Sequence, residues 1–126
     1  MNFIPQKKQL KQLGVDALIQ FGSQVDGTAR SDSDSDIGVV FSAQAKVQPR
    51  RFGHVYALLQ QAYPKHRIDL VDLYQAPAAL QYRAAQQGKV LYQASPESFA
   101  NFRERAMTRY YDFLPIIRIH EEALHL

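Results

Sequence analysis

The sequence predicts a fold of the α/β (α+β) class, with a mixed β-sheet of about four strands and helices that flank it. Short apolar runs of strand length alternate with longer segments whose apolar residues recur every three or four positions. Gly and Pro residues separate these segments, as they do at turns and helix ends. The 126 residues, 46% of them hydrophobic and 21% charged, suffice to bury one core without disulfides. We therefore expect a single domain over residues 1–126.

The first half of the chain predicts a helix, two strands and a further helix. Residues 4–13 place their apolar side chains on roughly one face of a helix. The runs VDALIQF (15–21) and DIGVVFS (36–42) have the length and apolar content of buried strands. Between them, Ser23 could open a brief helix. Apolar residues at helical spacing then predict a helix over 50–62, which Tyr-Pro ends.

The second half predicts a strand, a helix and a weaker strand. RIDLVDL (67–73) is an apolar strand interrupted by two acids. Pro77 and Gly88 bracket a helix over 78–87, because Pro suits the start of a helix and Gly its end. KVLY (89–92) predicts a fourth, weaker strand.

A long helix should follow, with Ser95 as its N-cap and Pro96 in its first position. Pro115 is expected to kink or end it, because proline lacks the N–H that the helix needs. We therefore expect residues 95–126 to form a helical extension of a core at about 15–92. Its tail is a candidate surface for a partner chain or a second copy, since little of the domain remains to bury its apolar residues. These residues are Ile116, Ile117, Ile119, Leu124 and Leu126.

The charge pattern and the apolar runs exclude several classes of protein. The formal net charge is +3, and the bases are scattered. A nucleic-acid-binding protein usually has a dense basic stripe with interleaved aromatic residues, so we expect no direct nucleic-acid binding. No apolar run approaches the roughly 20 residues that cross a membrane, and the start lacks a secretory signal. The absence of Cys suits a reducing compartment. We expect a cytoplasmic protein with no membrane partner.

A concentrated acidic segment stands between two predicted strands of this basic protein. Gly22 and Ser23 follow the first strand, and Asp34 and Asp36 lead into the second after ten intervening residues. Side chains at i and i+2 of a strand share a face, with Cβ atoms about 6–7 Å apart. Such a spacing suits two carboxylates that hold divalent ions about 4 Å apart. A glycine turn with a hydroxyl beside it suits phosphate. The segment therefore predicts a site for a metal-bound triphosphate.

A third carboxylate should complete the metal site, and the third predicted strand offers two. Asp69 and Asp72 both have apolar neighbours, and an acid in an apolar strand is costly unless it is paired or binds a metal. The two are three positions apart, so on a regular strand they point to opposite faces and at most one joins the site. We favour Asp69 because it lies deeper in the apolar run. Asp72 is then interpreted as a surface acid at the strand end.

These elements resemble the polymerase-beta-like nucleotidyltransferase superfamily, and the short chain resembles its minimal nucleotidyltransferase branch. The family pattern is a Gly-Ser pair, a spacer, Asp-x-Asp, and a later single Asp in a strand; the matching residues span 22–70. The resemblance implies the nucleotidyltransferase fold, ATP as substrate and two Mg²⁺ ions.

The resemblance also implies roles for individual residues. Asp34 and Asp36 would bind both Mg²⁺ ions, while Asp69 would bind the catalytic one and help to activate the attacking hydroxyl. The Gly-Ser pair, Gly22 and Ser23, would hold the nucleotide phosphates. The chain departs from many relatives after this pair, because basic residues are missing from the turn. Arg30 is a candidate to supply the phosphate contact instead.

Minimal nucleotidyltransferases of this size are typically antitoxins that pair with a HEPN ribonuclease toxin. The resemblance therefore implies a protein adenylyltransferase that moves AMP from ATP to a tyrosine of a separate HEPN chain and so silences it. One alternative is transfer to a small molecule such as an aminoglycoside, although a substrate-binding domain is then missing. Another is an antitoxin that acts by binding alone. The complete set of three acids argues against that alternative.

Overall fold

The computed structural model describes residues 6–22, 35–43 and 50–124. Within these ranges a helix precedes two successive strands, after which helices and strands alternate. The brief helix predicted to open at Ser23 lies outside the described residues. The strands are β1 (Val15–Phe21), β2 (Ser35–Phe41), β3 (Ile68–Asp72) and β4 (Lys89–Gln93). The helices are α1 (Lys7–Gln12), α2 (Arg51–Ala62), α3 (Ala78–Gln87) and α4 (Ser98–Leu124).

The described strands form one mixed sheet in the order β3-β2-β1-β4. β1 pairs antiparallel with both β2 and β4, whereas β2 and β3 run parallel. β1 lies inside the sheet and has helices over both faces. Its residues are therefore almost all buried, which explains why VDALIQF is a nearly continuous apolar run rather than an alternating one. The predicted α+β class with a mixed four-stranded sheet is confirmed.

Two apolar clusters, one on each face of the sheet, form the core. On one face, Leu10 of α1 and Val55 of α2 pack with Ile37 and Val39 of β2. On the other face, helices α3 and α4 pack with alternate residues of the same strands; this cluster includes Ile19, Val40, Ala84, Phe102 and Ala106. Because successive side chains of a strand alternate between faces, the clusters assign each strand residue to the α1/α2 face or to the α3/α4 face.

The long helix α4 differs from its prediction at both ends. It begins at Ser98, two residues after the predicted first position at Pro96. The buried Ser98 hydroxyl donates to Oδ1 of Asp16 in β1 at 2.8 Å, which ties this end of the helix to the sheet. The prediction that Pro115 could end the helix is wrong, since the helix continues to Leu124 with Pro115 inside it. Because Pro115 has no backbone N–H, the carbonyl of Tyr111, four residues earlier, has no hydrogen-bond donor within the helix. Both residues are exposed. Solvent can therefore replace that hydrogen bond. A kink at Pro115 stays a prediction.

None of the helices in the described ranges is long and apolar enough to cross a membrane.

Candidate active site

Three neighbouring strands bring the candidate catalytic residues to one end of the sheet. Asp36 is the second residue of β2, and it pairs with Phe21 at the end of β1. On its other side, Asp36 pairs with Asp69, the second residue of β3. Gly22 directly follows β1. The structure thus assembles Gly22, Asp36 and Asp69 although they are far apart in the sequence.

Asp36 and Asp69 lie side by side on the same face of the sheet. Neighbouring strands are about 4.8 Å apart, and paired residues of parallel strands point to the same side. The face is the α3/α4 face, since Val40 and Val71, at even spacing from the two acids, belong to the cluster there. Asp69 is exposed and Asp36 partly buried. Two carboxylates this close repel each other unless a cation lies between them.

Asp72 is separated from this pair, as the sequence analysis expected. It pairs with Val39, whose side chain is buried on the α1/α2 face. Its side chain is engaged locally, because Oδ1 accepts a hydrogen bond from the backbone N–H of Tyr74 at 3.1 Å. The register therefore places Asp69, and not Asp72, beside Asp36.

Gly22 lies against the Asp36 carboxylate. Its φ of +85° is in the left-handed region, which side chains other than glycine rarely adopt. A Cβ atom on Gly22 would lie 2.3 Å from Oδ2 of Asp36, far inside van der Waals contact. Both the backbone conformation and the space beside the carboxylate thus require glycine here.

A second glycine of β2, Gly38, makes room for a side chain that follows β3. The sequence motifs did not single out this glycine. A Cβ atom at Gly38 would lie 2.5 Å from Cδ1 of Leu73, which is fully buried over the α3/α4 face just after β3. Leu73 can pack there only because Gly38 lacks a side chain. The signal was present in the sequence: a glycine inside an apolar strand often marks a close approach of this kind.

The residues present fit a divalent cation as far as the structure describes them. Paired carboxylate oxygens are ligands that Mg²⁺ prefers, and the glycine surface leaves room beside one of them. In the described ranges no group of three potential metal ligands occurs. Three predicted site residues, Ser23, Arg30 and Asp34, lie outside the described residues.

The region that contains this end of the sheet matches a known protein family. The sequence profile of the family described as "Polymerase beta, Nucleotidyltransferase" matches residues 6–97, a range that contains the whole sheet and all candidate site residues. The chain belongs to this family. The resemblance drawn from the Gly-Ser pair and the three aspartates is thereby confirmed, and so is the prediction of a nucleotidyltransferase. No curated protein matches the sequence.

Several solved structures share the fold of this nucleotidyltransferase. A chain from a crystal structure of a toxin–antitoxin with AMP-PNP is 20% identical, with a TM-score of 0.72 over 97% of this chain and 100% of that one. A chain from the toxin–antitoxin MntA–HepT is 18% identical, with a TM-score of 0.66 over 95% and 97% of the two chains. A chain from a re-refined complex of tri-AMPylated Shewanella oneidensis HEPN toxin with MNT antitoxin is 19% identical, with a TM-score of 0.66 over 95% of this chain and 96% of that one. At such identities the likeness shows the fold.

Proposed function

We propose that this nucleotidyltransferase is an antitoxin that transfers AMP from ATP to a tyrosine hydroxyl of a separate HEPN toxin. The observation that carries the proposal is the pairing of Asp36 with Asp69 at the open end of the sheet. Family membership makes the reaction nucleotidyl transfer. Two fold relatives support the substrates, one from a complex with AMP-PNP and one from a complex with an AMPylated HEPN toxin.

In the proposed reaction the tyrosine oxygen attacks the α-phosphorus of ATP. A phosphorus–oxygen bond to tyrosine forms, the bond to the β-phosphate oxygen breaks, and pyrophosphate leaves. Asp69 accepts the proton of the hydroxyl, for which its exposed carboxylate at the start of β3 is accessible. Two Mg²⁺ ions, held by Asp34, Asp36 and Asp69, would neutralise the charge that develops on the phosphate oxygens.

The phosphates would be held at the turn after β1. Gly22 lies against the Asp36 carboxylate, so its backbone would hold the phosphates of a nucleotide whose metal binds Asp36. Ser23 and Arg30 are proposed to donate hydrogen bonds to the same phosphates.

The proposal is tested by the mass of the partner chain. We expect each AMP transferred to add about 329 Da to the HEPN protein encoded beside this chain after incubation with ATP and Mg²⁺, because the modification is covalent. The matched control replaces ATP with α,β-methylene-ATP, in which the bond to be broken cannot be cleaved. A toxin that is silenced without gaining mass overturns the proposal in favour of binding alone. AMP found instead on an aminoglycoside points to a small-molecule acceptor.

The same proposal assigns the tail of α4 to the toxin. Phe102 and Ala106 in the first half of the helix are buried against the sheet. Beyond Leu114, the side chains of Ile116 and Ile119 are instead 61% and 67% exposed. Packing against the sheet therefore does not cover them, and a partner surface would.

Truncation after Leu114 tests this assignment. We expect the shortened protein to keep its melting temperature within about 2 °C and to bind ATP, because Ile116 and Ile119 lie outside the core. It should fail to bind the HEPN chain, and AMP transfer should fall with it, since positioning of the acceptor supplies much of the rate. The double variant Ile116→Asp, Ile119→Asp repeats the test at full length. A melting temperature lowered by 10 °C or more would return the tail to the core of this chain.

A further inference from the structure

We infer that Gly22 is a positioning residue for the Asp36 carboxylate, in addition to any contact its backbone makes with phosphate. The inference rests on the proposed function, in which Asp36 binds the metal. It assigns to the glycine of the Gly-Ser pair a steric role toward the neighbouring strand: its missing side chain leaves the space beside which the Asp36 carboxylate lies.

The contact geometry shows which atoms would have to move. A Cβ on Gly22 would lie 2.3 Å from Oδ2, 3.2 Å from Cγ and 3.4 Å from Cβ of Asp36. Cβ atoms essentially never approach another heavy atom within 3.0 Å, whereas 3.4 Å is ordinary contact. The clash is therefore confined to the carboxylate group, while the first carbon of the Asp36 side chain can stay in place.

The backbone of Asp36 cannot relieve the clash by shifting. Asp36 is paired with Phe21 on one side and with Asp69 on the other, so the sheet fixes its position from both neighbours. The remaining freedom is rotation of the side chain about its own bonds. Rotation would carry the carboxylate away from Gly22 and change its position relative to Asp69, the residue with which Asp36 pairs.

A methyl group on Gly22 has a second effect, strain of the backbone at φ +85°. This strain does not depend on which residue occupies position 36. A double-mutant cycle between the two positions therefore cancels it and leaves the contact with the carboxylate.

The first experiment is this cycle, read by thermal unfolding in metal-free buffer. It compares the native chain, Gly22→Ala, Asp36→Ala and the double variant. We expect Gly22→Ala to lower the melting temperature by at least about 3 °C more in the native background than in the Asp36→Ala background. The matched control is Gly38→Ala in both backgrounds, because Gly38 is equally crowded but against Leu73. Gly38→Ala should lower the melting temperature by the same amount with and without the Asp36 carboxylate.

The second experiment measures binding of Mn²⁺ to the full chain by electron paramagnetic resonance. Gly22→Ala should bind Mn²⁺ at least about tenfold more weakly than the native chain, and Gly38→Ala within about twofold of it. If Gly22→Ala does not fold, the double variant decides: folding rescued by Asp36→Ala supports the inference, and failure of both overturns it. Absence of coupling in the cycle overturns it as well.

The two experiments separate this inference from the proposed function. If the cycle shows coupling but Gly22→Ala binds Mn²⁺ as tightly as the native chain, the positioning role is overturned. Asp36 can then still act as a metal ligand. A native chain that binds no Mn²⁺ overturns the metal site itself, and with it the positioning role, whatever the unfolding data show.

Discussion

Asp36→Asn should leave the protein folded but slow AMP transfer by at least about a thousandfold. A divalent ion in the site contributes several kcal/mol of charge stabilisation in the transition state, and about 4 kcal/mol corresponds to roughly three orders of magnitude in rate. An amide cannot replace a carboxylate that bridges two cations. The register makes Asp36 the central acid of the site, because it pairs with the ends of both neighbouring elements, Phe21 and Asp69.

The rate is measured as AMP incorporated into the HEPN chain, and folding is checked by a thermal melt without metal. In that melt Asp36→Asn should be at least as stable as the native chain, because removing one of two neighbouring carboxylates removes a repulsion. Asp72→Asn serves as the control from the same sheet. Native turnover by a folded Asp36→Asn protein would show that the metal site is elsewhere.

Asp69→Asn should lower the chemical step by about 10²–10⁴-fold, the usual contribution of a general base. Nucleotide binding should change little, since the Gly-Ser turn and Asp36 remain. Asp72→Asn should be nearly neutral, because its amide oxygen can still accept the hydrogen bond from Tyr74 that Oδ1 of Asp72 accepts at 3.1 Å. Single-turnover transfer and titration with α,β-methylene-ATP separate the chemical step from binding.

The pair of variants also tests the register of β3. If Asp72→Asn abolishes transfer and Asp69→Asn does not, then Asp72, and not Asp69, lies beside Asp36 on the α3/α4 face. The pairing of Asp36 with Asp69 would then be shifted by an odd number of residues.

Much of the fold could be predicted because its strands are compact apolar runs bounded by clear turn residues. β1 agrees with its predicted bounds, and α3 agrees between Pro77 and Gly88. The ends of α4 could not be read in the same way. Its start is set by the contact of Ser98 with Asp16, 82 positions earlier in the chain. The helix continues beyond Pro115, and whether it can do so depends on which side of the helix is exposed to solvent.

The candidate site shows the same division. Residue type and spacing singled out Gly22, Asp36 and Asp69, and alternation along a strand showed that Asp69 and Asp72 cannot both join. The pairing of β2 with β3 decides whether Asp69 or Asp72 lies beside Asp36. This pairing is a long-range property that no local sequence pattern contains. The crowding of Gly22 against the carboxylate is likewise invisible in sequence, because it arises where two strands meet. The roles of Ser23, Arg30 and Asp34 stay predictions.

The two acids at the sheet end stand on hydrogen-bonded strands rather than on loops. Their backbones should therefore separate only when the sheet opens, whereas the helix beyond Leu114, where Ile116 and Ile119 are exposed, can fray by itself. In the proposed function, catalytic geometry and partner docking thus belong to units of different local stability. On gentle warming, the proposed docking of the toxin should be lost while the carboxylate pair is still intact.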